Sequence, residues 1–413
     1  MTTIRHQVFK RLQEAGAETF YTGGCVRDEL IGLPVRDLDV VIFNLPADRV
    51  DLVLNEFGHL KQYGKCFPVR QIKGLAVEFA LPRSEAGLTL KKAVHEDALR
   101  RDFTVDALYR HTITNELIDP LGKGLEDLNL HRLRMTCPDA FSADPLRVYR
   151  AFQLASRLNF EIEPATLSAM SETNTKDVSP ERILQELNKW LLSESPAAGW
   201  RFMKQTGFLP EVFHHGAGAE TITLIPRILT RAARMRAQSG DPLLLMWGAL
   251  LAPLLLTKVG SGVTETQIRK KQQEMMDWYG TLNRQQTQKG QLDGLLTASA
   301  SFFKMTHRPS DVKRLCLITD FDELELLIRT LLPLWKEMRS RSAAEQALHR
   351  FRRWRPTESL APVVRGSDLK LLGYPPGKEM GIWLEAAFQM QLEGVEKEAI
   401  LIFFRNLRNQ IRS

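Results

Sequence analysis

The sequence predicts a mixed α/β (α+β) domain at its N-terminus, followed by an all-helical neck, body and tail. Short β-branched and aromatic runs occur mainly before about residue 135, where they alternate with helical stretches. From about residue 140 almost to the end, apolar residues recur at helical spacing. A chain of 413 residues is long enough for about two to four domains.

Local signals place the elements of the N-terminal domain. Strands are predicted at residues 20–21 before a Gly-Gly turn, at 38–43, within 69–81 and at 112–118. Helices are predicted at 5–15, 25–31 and 47–57. Strands that alternate with helices favour a sheet covered by helices.

The remainder of the chain is predicted to be helical. Helices are expected at 146–158, 181–192, 243–254, 322–332 and 343–353. Ser179 and Pro180 provide an N-cap followed by proline at the first helical position. The apolar run 242–256 is shorter than the roughly 20 residues that span a bilayer, so it predicts a buried helix. Domain boundaries are predicted near 137, 200 and 330.

Composition narrows the class of protein. The chain has 56 Lys plus Arg against 49 Asp plus Glu, a net charge of +7, which is a mild indication of a polyanionic partner. The four cysteines are far apart and the N-terminus has no apolar signal-peptide region. A disulfide framework is therefore not expected, and a cytoplasmic location is.

Two carboxylates stand one residue apart at the start of the second predicted strand. Asp37 and Asp39 point the same way, because alternate side chains of a strand share a face. Mg²⁺ prefers oxygen ligands and is usually bound by one or two carboxylates plus substrate phosphates. Glu78 alternates with apolar neighbours on a later strand and is a candidate third carboxylate. An ordinary strand glutamate is the alternative.

A glycine turn precedes these carboxylates. Gly23 and Gly24 allow backbone N–H groups to approach a phosphate, and the helix that follows adds a favourable dipole. Arg27 lies one helical turn later, where a guanidinium can bind a phosphate oxygen through two N–H groups. Either feature alone is more often an ordinary turn or a pair of solvated aspartates.

More motifs follow in a fixed order. They are R-R-D-F-T-V-D-A from Arg100, A-D-P-L-R-V-Y-R from Ala143, and S-P-E-R-I-L-Q-E from Ser179, with a later segment at residues 364–381. With the glycine turn and carboxylate pair, they resemble the motifs of the class II tRNA nucleotidyltransferases and bacterial poly(A) polymerases. The likeness implies a polymerase β-like nucleotidyltransferase head and template-independent transfer of nucleotides from CTP and ATP to the 3′ end of tRNA, with Mg²⁺ as cofactor.

The resemblance also implies roles for individual residues. Asp144 and Arg147 match the protein template of the family, and Arg101 and Arg150 match positions that contact the nucleotide. Cytosine and adenine both present an amino donor beside a ring-nitrogen acceptor, which a carboxylate and a guanidinium complement. Asp144, Arg147 and Arg150 are expected on one helical stripe, and Asp144 can also cap that helix. Arg182 and Glu186 are expected to form a structural ion pair.

Several features leave the exact product open. Gln153 replaces a third arginine of the template helix, and Asp106 replaces an asparagine of the R-R-D-F-T-x-N-A motif. The stretch between Arg83 and Arg101 is short for enzymes that add the whole CCA, which makes a CC-adding enzyme a hypothesis beside full CCA addition. An A-adding enzyme and a poly(A) polymerase are further alternatives.

Two interpretations from other classes remain. One is a catalytically silent RNA-binding protein. The other is a phosphohydrolase in the body, as in some relatives with an adjacent His-Asp pair. Here Ala252 and Pro253 occupy the matching place, and His214-His215 is more typical of a loop than of a ligand set. We therefore predict a degenerate body without a metal site or phosphohydrolase activity.

A basic stretch is the candidate RNA surface. Residues 330–355 contain seven Lys or Arg with three aromatic residues interleaved, and phosphate contacts of such a surface are independent of sequence. The residues proposed for RNA binding are Arg350, Arg352, Arg353 and Arg355. A solvated helix face is the alternative. The predicted domains are a head (1–137), a neck with the template helix (138–200), a body (201–330) and a tRNA-binding tail (331–413). No membrane and no obligate protein partner are expected.

Overall fold

The computed structural model describes residues 4–35, 37–63, 68–85, 87–209, 213, 219–256, 264–302, 309–338, 341–355 and 360–412. The chain divides into two compact units. The first consists of Met1–Trp190 and Ala198–Phe208, and the second of Leu191–Ala197 and Leu209–Ser413. The four-domain division expected from the sequence stays a prediction.

A seven-stranded sheet forms the centre of the first unit. Its strands are β1 (Glu18–Thr22), β2 (Asp39–Phe43), β3 (Leu60–Tyr63), β4 (Val69–Ile72), β5 (Glu78–Ala80), β6 (Tyr109–His111) and β7 (Leu117–Ile118). They lie in the order β3-β4-β5-β2-β1-β6-β7. Strands β2 and β5 are parallel, whereas the other neighbours are antiparallel.

Both faces of the central strand β2 are buried, because helices cover the sheet on each side. Val40 and Ile42 pack with α1 (Ile4–Glu14) and α3 (Ala47–Asn55). Val41 and Phe43 face the other way and pack with α4 (Leu90–Leu99). Helix α2 (Gly24–Leu30) follows β1 directly. A strand buried on both faces is a continuous apolar run in sequence, as in residues 40–43.

The strand predicted over residues 112–118 is wrong for residues 112–116, and only Leu117–Ile118 are extended, as β7. Residues 112–116 are the turn of a hairpin between β6 and β7. Asn115 has a φ of 61°, in the left-handed region. The His111 Nδ1 atom accepts hydrogen bonds from the backbone N–H groups of Ile113 and Thr114. These local bonds favour a turn over the extended chain that β-branched composition suggested.

The rest of the first unit is mainly helical. Its helices are α5 (Gly124–Asn129), α6 (Ala140–Ala143), α7 (Arg147–Leu158), α8 (Pro164–Ser171), α9 (Pro180–Leu191, whose last residue falls in the second unit) and α10 (Pro196–Thr206). A two-stranded parallel ladder joins β8 (Arg132–Leu133) to β9 (Glu161–Ile162). Helix α7 buries the apolar residues Val148, Ala151, Phe152, Leu154 and Ala155.

The second unit is helical in the part of it that the structure describes. Its main helices are α11 (Ala219–Met235), α12 (Pro242–Leu256), α13 (Glu265–Leu282), α14 (Gln286–Phe302), α15 (Pro309–Cys316), α16 (Phe321–Met338), α17 (Arg341–Arg353), α18 (Gly366–Leu371), α19 (Lys378–Leu392) and α20 (Lys397–Arg412). Helix α12 is the apolar run predicted as a buried helix, and Leu245–Leu256 are all buried. The predicted class, a mixed α/β head followed by helices, is confirmed.

None of the described helices is both long and apolar enough to cross a membrane. Cys25, Cys137 and Cys316 are free thiols, and Cys66 lies outside the described residues.

Candidate functional site

The structure brings two of the three predicted carboxylates together across the sheet. Asp39 and Glu78 are register partners on the adjacent parallel strands β2 and β5. Burial raises the pKa of Asp39, and the nearby Glu78 and Asp37 carboxylates raise it further. The Tyr63 hydroxyl donates a hydrogen bond of 2.7 Å to Glu78 Oε1. Asp37 is exposed and lies just before β2. The result is a group of negative charges at the start of the two strands.

The glycine turn lies beside this group. Gly23 has a φ of 73°, a conformation that favours glycine. A Cβ atom at Gly23 would lie 3.5 Å from Arg101 Nη1 and 3.8 Å from Asp39 Oδ2. The turn therefore borders both the carboxylates and the second arginine of the R-R-D-F motif, as a phosphate site next to a metal site requires.

Arg101 is held by two partners. Its guanidinium donates to Asp97 Oδ2 at 2.9 Å and to the Tyr109 hydroxyl at 2.8 Å, and Tyr109 in turn donates to Asp97 at 2.6 Å. Burial alone would lower the pKa of Arg101, but Tyr109 and Asp97 outweigh it and raise that pKa. Arg101 therefore stays a cation in a fixed position beside the turn.

Arg27 is not positioned as the sequence suggested. Its side chain is only 3% exposed and lies under the turn, where it donates to Asp28 Oδ1 at 2.7 Å and pairs with Asp106. A Cβ atom at Gly24 would lie 3.3 Å from Arg27 Nη2. The guanidinium already has carboxylate partners on two sides, so its contacts support the turn from below. Direct binding of a phosphate by Arg27 stays an unsupported prediction.

Arg147 and Arg150 flank one carboxylate, Asp102. Arg147 Nε lies 2.8 Å from Asp102 Oδ1, and Arg150 Nε contacts the other oxygen. Neither contact has the directed geometry of a hydrogen bond. Arg147 also donates through its two Nη atoms to the carbonyl oxygens of Ala140 and Arg100. Each Nη atom keeps a second N–H group that can donate to a base.

Asp144 lies outside the helix on which the sequence placed it. Helix α7 begins at Arg147, and Asp144 follows the short α6 in an extended conformation. Its carboxylate accepts from the backbone N–H of Leu146 at 3.3 Å and from Arg182 at 3.1 Å. The predicted pair of Arg182 with Glu186 is wrong, because Glu186 is buried and pairs with Lys189 at 2.8 Å.

The donor set fits a divalent metal in part. Among the residues that the structure describes, no three Asp, Glu, His or Cys side chains converge as a complete metal site. Asp37 and Asp39 offer hard oxygen donors. The pKa of Asp39 is raised by burial and then by the neighbouring carboxylates, and a cation would relieve the repulsion between them. This suits Mg²⁺, which usually takes few protein ligands and completes its shell with water and substrate phosphates.

The predicted RNA-binding arginines fall into two kinds. Arg352 donates to Glu325 and Arg355 to Asp322, both on α16, at 2.7 and 2.6 Å. Arg350 and Arg353 are exposed on α17. The other face of α17 is a packing surface, where Phe351 stacks on Phe321 with ring centroids 4.5 Å apart. His214 and His215, named as a loop pair, lie outside the described residues.

Sequence reasoning assigned no role to Asp97, Asp102 or Tyr109, which hold the arginines of the site. One signal was available, because Asp97 and Arg101 are four residues apart, the spacing of a helical ion pair. Asp102 stands inside the R-R-D-F motif itself. Its two partners lie about one helical turn apart on α7, and only packing shows that they meet it.

Comparison with known proteins finds similar families and relatives. Residues 19–134 match the family described as "Poly A polymerase head domain", and residues 159–217 match "Probable RNA and SrmB- binding site of polymerase A". The CCA-adding enzyme of Limosilactobacillus fermentum is 30% identical over 267 residues, which are 61% of this chain and 63% of that protein. The chain is therefore similar to poly(A) polymerase heads and to CCA-adding enzymes over the matched residues.

Two further relatives match over similar lengths. The Multifunctional CCA protein of Nitrosomonas europaea is 36% identical over 47% of this chain and 50% of its own length. The CCA-adding enzyme of Coxiella burnetii is 34% identical over 53% of this chain and 63% of its own length. The chain thus aligns with about half to two thirds of the length of these relatives.

Two solved structures share the fold. The Bacillus stearothermophilus CCA-adding enzyme in complex with CTP superposes with a TM-score of 0.69, at 22% identity, covering 98% of this chain and 97% of that one. The Thermotoga maritima CCA-adding enzyme complexed with tRNA gives a TM-score of 0.64, at 18% identity, covering 98% and 95%. At these identities, the likeness supports the fold.

Proposed function

We propose that the protein transfers CMP, and in full CCA addition also AMP, from CTP and ATP to the 3′-hydroxyl of tRNA. The observation that carries this proposal is the pairing of Asp39 with Glu78 beside the Gly23–Gly24 turn and Arg101. Carboxylates next to a phosphate-binding turn are the minimum for phosphoryl transfer. The CCA-adding activity named for the relatives supports the same reaction.

Asp37 and Asp39 would hold Mg²⁺, with Glu78 as the third carboxylate of the group. Bound there, the metal would neutralise charge on the triphosphate and favour attack on the α-phosphate. Backbone N–H groups of the Gly23–Gly24 turn receive the phosphates, and Arg101 supplies a fixed positive charge beside them. The RNA 3′-hydroxyl forms a bond to the α-phosphorus, and pyrophosphate leaves.

Asp144 and Arg147 would select the base, with Arg150 helping to hold the nucleotide. A carboxylate accepts from the amino group of cytosine or adenine, while a guanidinium donates to the ring nitrogen. Guanine and uracil present the reverse order, so both protein groups would be left unsatisfied, which discriminates strongly. Arg182 on Asp144, and Asp102 on Arg147 and Arg150, fix these groups before a base arrives.

The stopping point of addition depends on the loop between β5 and α4. This loop is tied to α4, because Arg83 N donates to Asp97 Oδ1 at 2.7 Å and Glu85 N donates to Glu96 at 3.3 Å. A short loop held by backbone hydrogen bonds favours the CC-adding sub-type, in which the site does not change from C to A. Arg350 and Arg353, with Arg352 and Arg355, would contact tRNA phosphates. A tRNA-processing role implies a cytoplasmic location.

The decisive experiment supplies pure protein with tRNAs that end before CCA, after CC and after CCA. Each is incubated with Mg²⁺ and CTP, ATP or both, and the 3′ ends are sequenced. Two cytidines alone identify a CC-adding enzyme, and a complete end identifies a CCA-adding enzyme. Adenosine tails on any RNA would indicate a poly(A) polymerase. No product would overturn the proposal and favour a silent RNA-binding protein.

The double variant Asp37→Ala, Asp39→Ala is the matched control. It should lose transfer and keep RNA binding. Both aspartates belong to the first unit, whereas the proposed RNA-binding arginines belong to the second. Transfer by this variant would contradict the assignment of the catalytic carboxylates.

A further inference from the structure

Arg157, on the last turn of α7, pairs with Asp28 of α2. Arg27 Nη2 also donates a hydrogen bond of 2.7 Å to Asp28 Oδ1, and Arg27 pairs with Asp106. The four side chains form a chain of alternating charge: Asp106, Arg27, Asp28, Arg157. Asp28 and Arg27 are 7% and 3% exposed, whereas Arg157 is 36% exposed. This row of ion pairs therefore connects the buried Arg27 under the glycine turn with the end of α7.

The other end of α7 is attached to the same part of the unit by different groups. Arg147 and Arg150 flank Asp102 at the start of the helix. Residues 147 and 157 are ten positions apart, or about 15 Å along a helix axis. Ion pairs thus hold α7 at both ends, and its apolar residues pack between them. A helix held at two separated points has little freedom to pivot.

The two attachments serve different sides of the proposed reaction. The start of α7 carries Arg147, proposed to read the base. Its end is joined through Asp28 and Arg27 to the Gly23–Gly24 turn, proposed to hold the triphosphate, because Arg27 Nη2 would lie 3.3 Å from a Cβ atom at Gly24. The distance between the base site and the phosphate site must match the length of a nucleotide, and small misplacements are costly in catalysis.

We propose that Arg157 is a positioning residue for base selection, acting through Asp28 and Arg27 to fix α7 relative to the Gly23–Gly24 turn. This inference rests on the proposed nucleotide transfer. Arg157 contacts neither base nor phosphate in this scheme. Its removal frees the end of α7 to shift relative to the Gly23–Gly24 turn, so that Arg147 moves out of line with Asp144 and the bases are met less selectively.

The test compares Arg157→Ala and Arg157→Lys with a matched control, Arg201→Ala. Arg201 forms an exposed ion pair of 2.7 Å with Glu161 in the same unit. Steady-state kcat/KM is measured for CTP and for UTP on a tRNA that lacks CCA. We expect Arg157→Ala to reduce the CTP-to-UTP ratio about tenfold, mainly through CTP. Arg157→Lys should restore part of the ratio, and Arg201→Ala should retain the wild-type ratio.

A purely structural role gives a different result. Loss of stability would lower the activity with CTP and UTP in proportion and leave their ratio unchanged, which would overturn the inference. Thermal melts of each variant show whether it is folded, and Arg157→Lys supplies a folded variant if Arg157→Ala does not fold. An equal loss of ratio in Arg201→Ala would also overturn it.

Equilibrium binding separates the failure of this inference from the failure of the proposed function. If the wild type transfers no nucleotide, the proposed function fails, and the Kd values for CTP and UTP are measured instead by calorimetry. A Kd ratio reduced in Arg157→Ala still supports the positioning role. An unchanged ratio, or no preference for CTP in the wild type, overturns it.

Discussion

Asp39 and Glu78 face each other in register on the two parallel strands at the centre of the sheet, and Tyr63 donates a hydrogen bond to Glu78 from the edge strand β3. Burial and the neighbouring carboxylates raise the pKa of Asp39. A carboxylate held in such a position costs the free protein stability and suits a site that receives a cation.

Asp39→Asn should therefore stabilise the metal-free protein at neutral pH and abolish transfer. The pKa of Asp39 is raised in the folded protein above its ordinary 3.8, so as pH rises the unfolded protein loses the Asp39 proton before the folded protein does. The free energy of unfolding therefore falls as pH rises from the unfolded pKa through the folded pKa, and it stays reduced above the folded pKa. Thermal melts at pH 7 without Mg²⁺ should show a higher Tm for the variant. Transfer should fall at least about a hundredfold.

The control for this prediction is Asp48→Asn, which removes an exposed carboxylate from the first turn of α3. It should lower Tm slightly, because acidic side chains favour a helix N-terminus. Addition of Mg²⁺ should raise the Tm of the wild type more than that of Asp39→Asn. Equal responses to Mg²⁺ would mean that Asp39 does not hold the metal.

Tyr63→Phe should reduce kcat about fivefold and leave the KM for tRNA unchanged. The change removes one hydrogen bond to Glu78, worth about 1 kcal/mol, and leaves the ring in place. Tyr374→Phe is the matched control, since it removes a hydrogen bond from a tyrosine hydroxyl to the Phe404 carbonyl in the second unit. A fall in kcat in both variants would show a general effect on folding.

The same contact can be detected by titration. Burial and Glu78 raise the pKa of Tyr63 to about 12. In Glu78→Gln, the charge of the acceptor is lost, and the tyrosinate absorbance of one residue should appear at lower pH than in the wild type. Tyr63→Phe in the same background should remove that difference. An identical titration of wild type and Glu78→Gln would argue against the hydrogen bond.

Asp106→Asn, which restores the asparagine of the R-R-D-F-T-x-N-A motif, should destabilise this chain by about 1–3 kcal/mol. The change removes one of the two carboxylates that surround the buried Arg27, so the guanidinium is less well compensated. Urea unfolding measures the difference. Glu56→Gln breaks the exposed pair with Arg11 and should cost no more than about 0.5 kcal/mol. A neutral Asp106→Asn would show that Asp28 alone compensates Arg27.

Asp322→Asn and Glu325→Gln should increase affinity for tRNA, whereas Arg350→Ala and Arg353→Ala should decrease it. The two acids hold Arg355 and Arg352, and their removal makes those guanidiniums available to phosphates. Binding measured across salt concentrations should show a slope of log Kd steeper by up to about one per arginine released. Glu274→Gln, an exposed acid of α13, should change neither affinity nor slope appreciably. Weaker binding by Asp322→Asn would contradict this reading of the surface.

The sequence by itself determined the class of fold and the resemblance to the class II tRNA nucleotidyltransferases. Alternating strands and helices before about residue 135 and helical spacing afterwards predicted the two kinds of structure. The ordered motifs predicted the family, because motif residues and their spacing are fixed along the chain. It also predicted Asp39 as a site carboxylate and Glu78 as a candidate third carboxylate, because each stands beside a short apolar strand that can be recognised along the chain.

Only the tertiary structure decided which charges meet. Arg27 and Asp106 are 79 residues apart, and Asp28 and Arg157 are 129 apart, so no local period relates them. In the folded protein, Arg27 is buried under the turn, and Arg182 pairs with Asp144 and not with Glu186. Arg352 and Arg355 pair with acidic residues, whereas Arg350 and Arg353 are exposed. The physical reason is that helical and strand periods are set by neighbours in the chain. Ion pairs depend on which elements come together, because their energy depends on distance and burial.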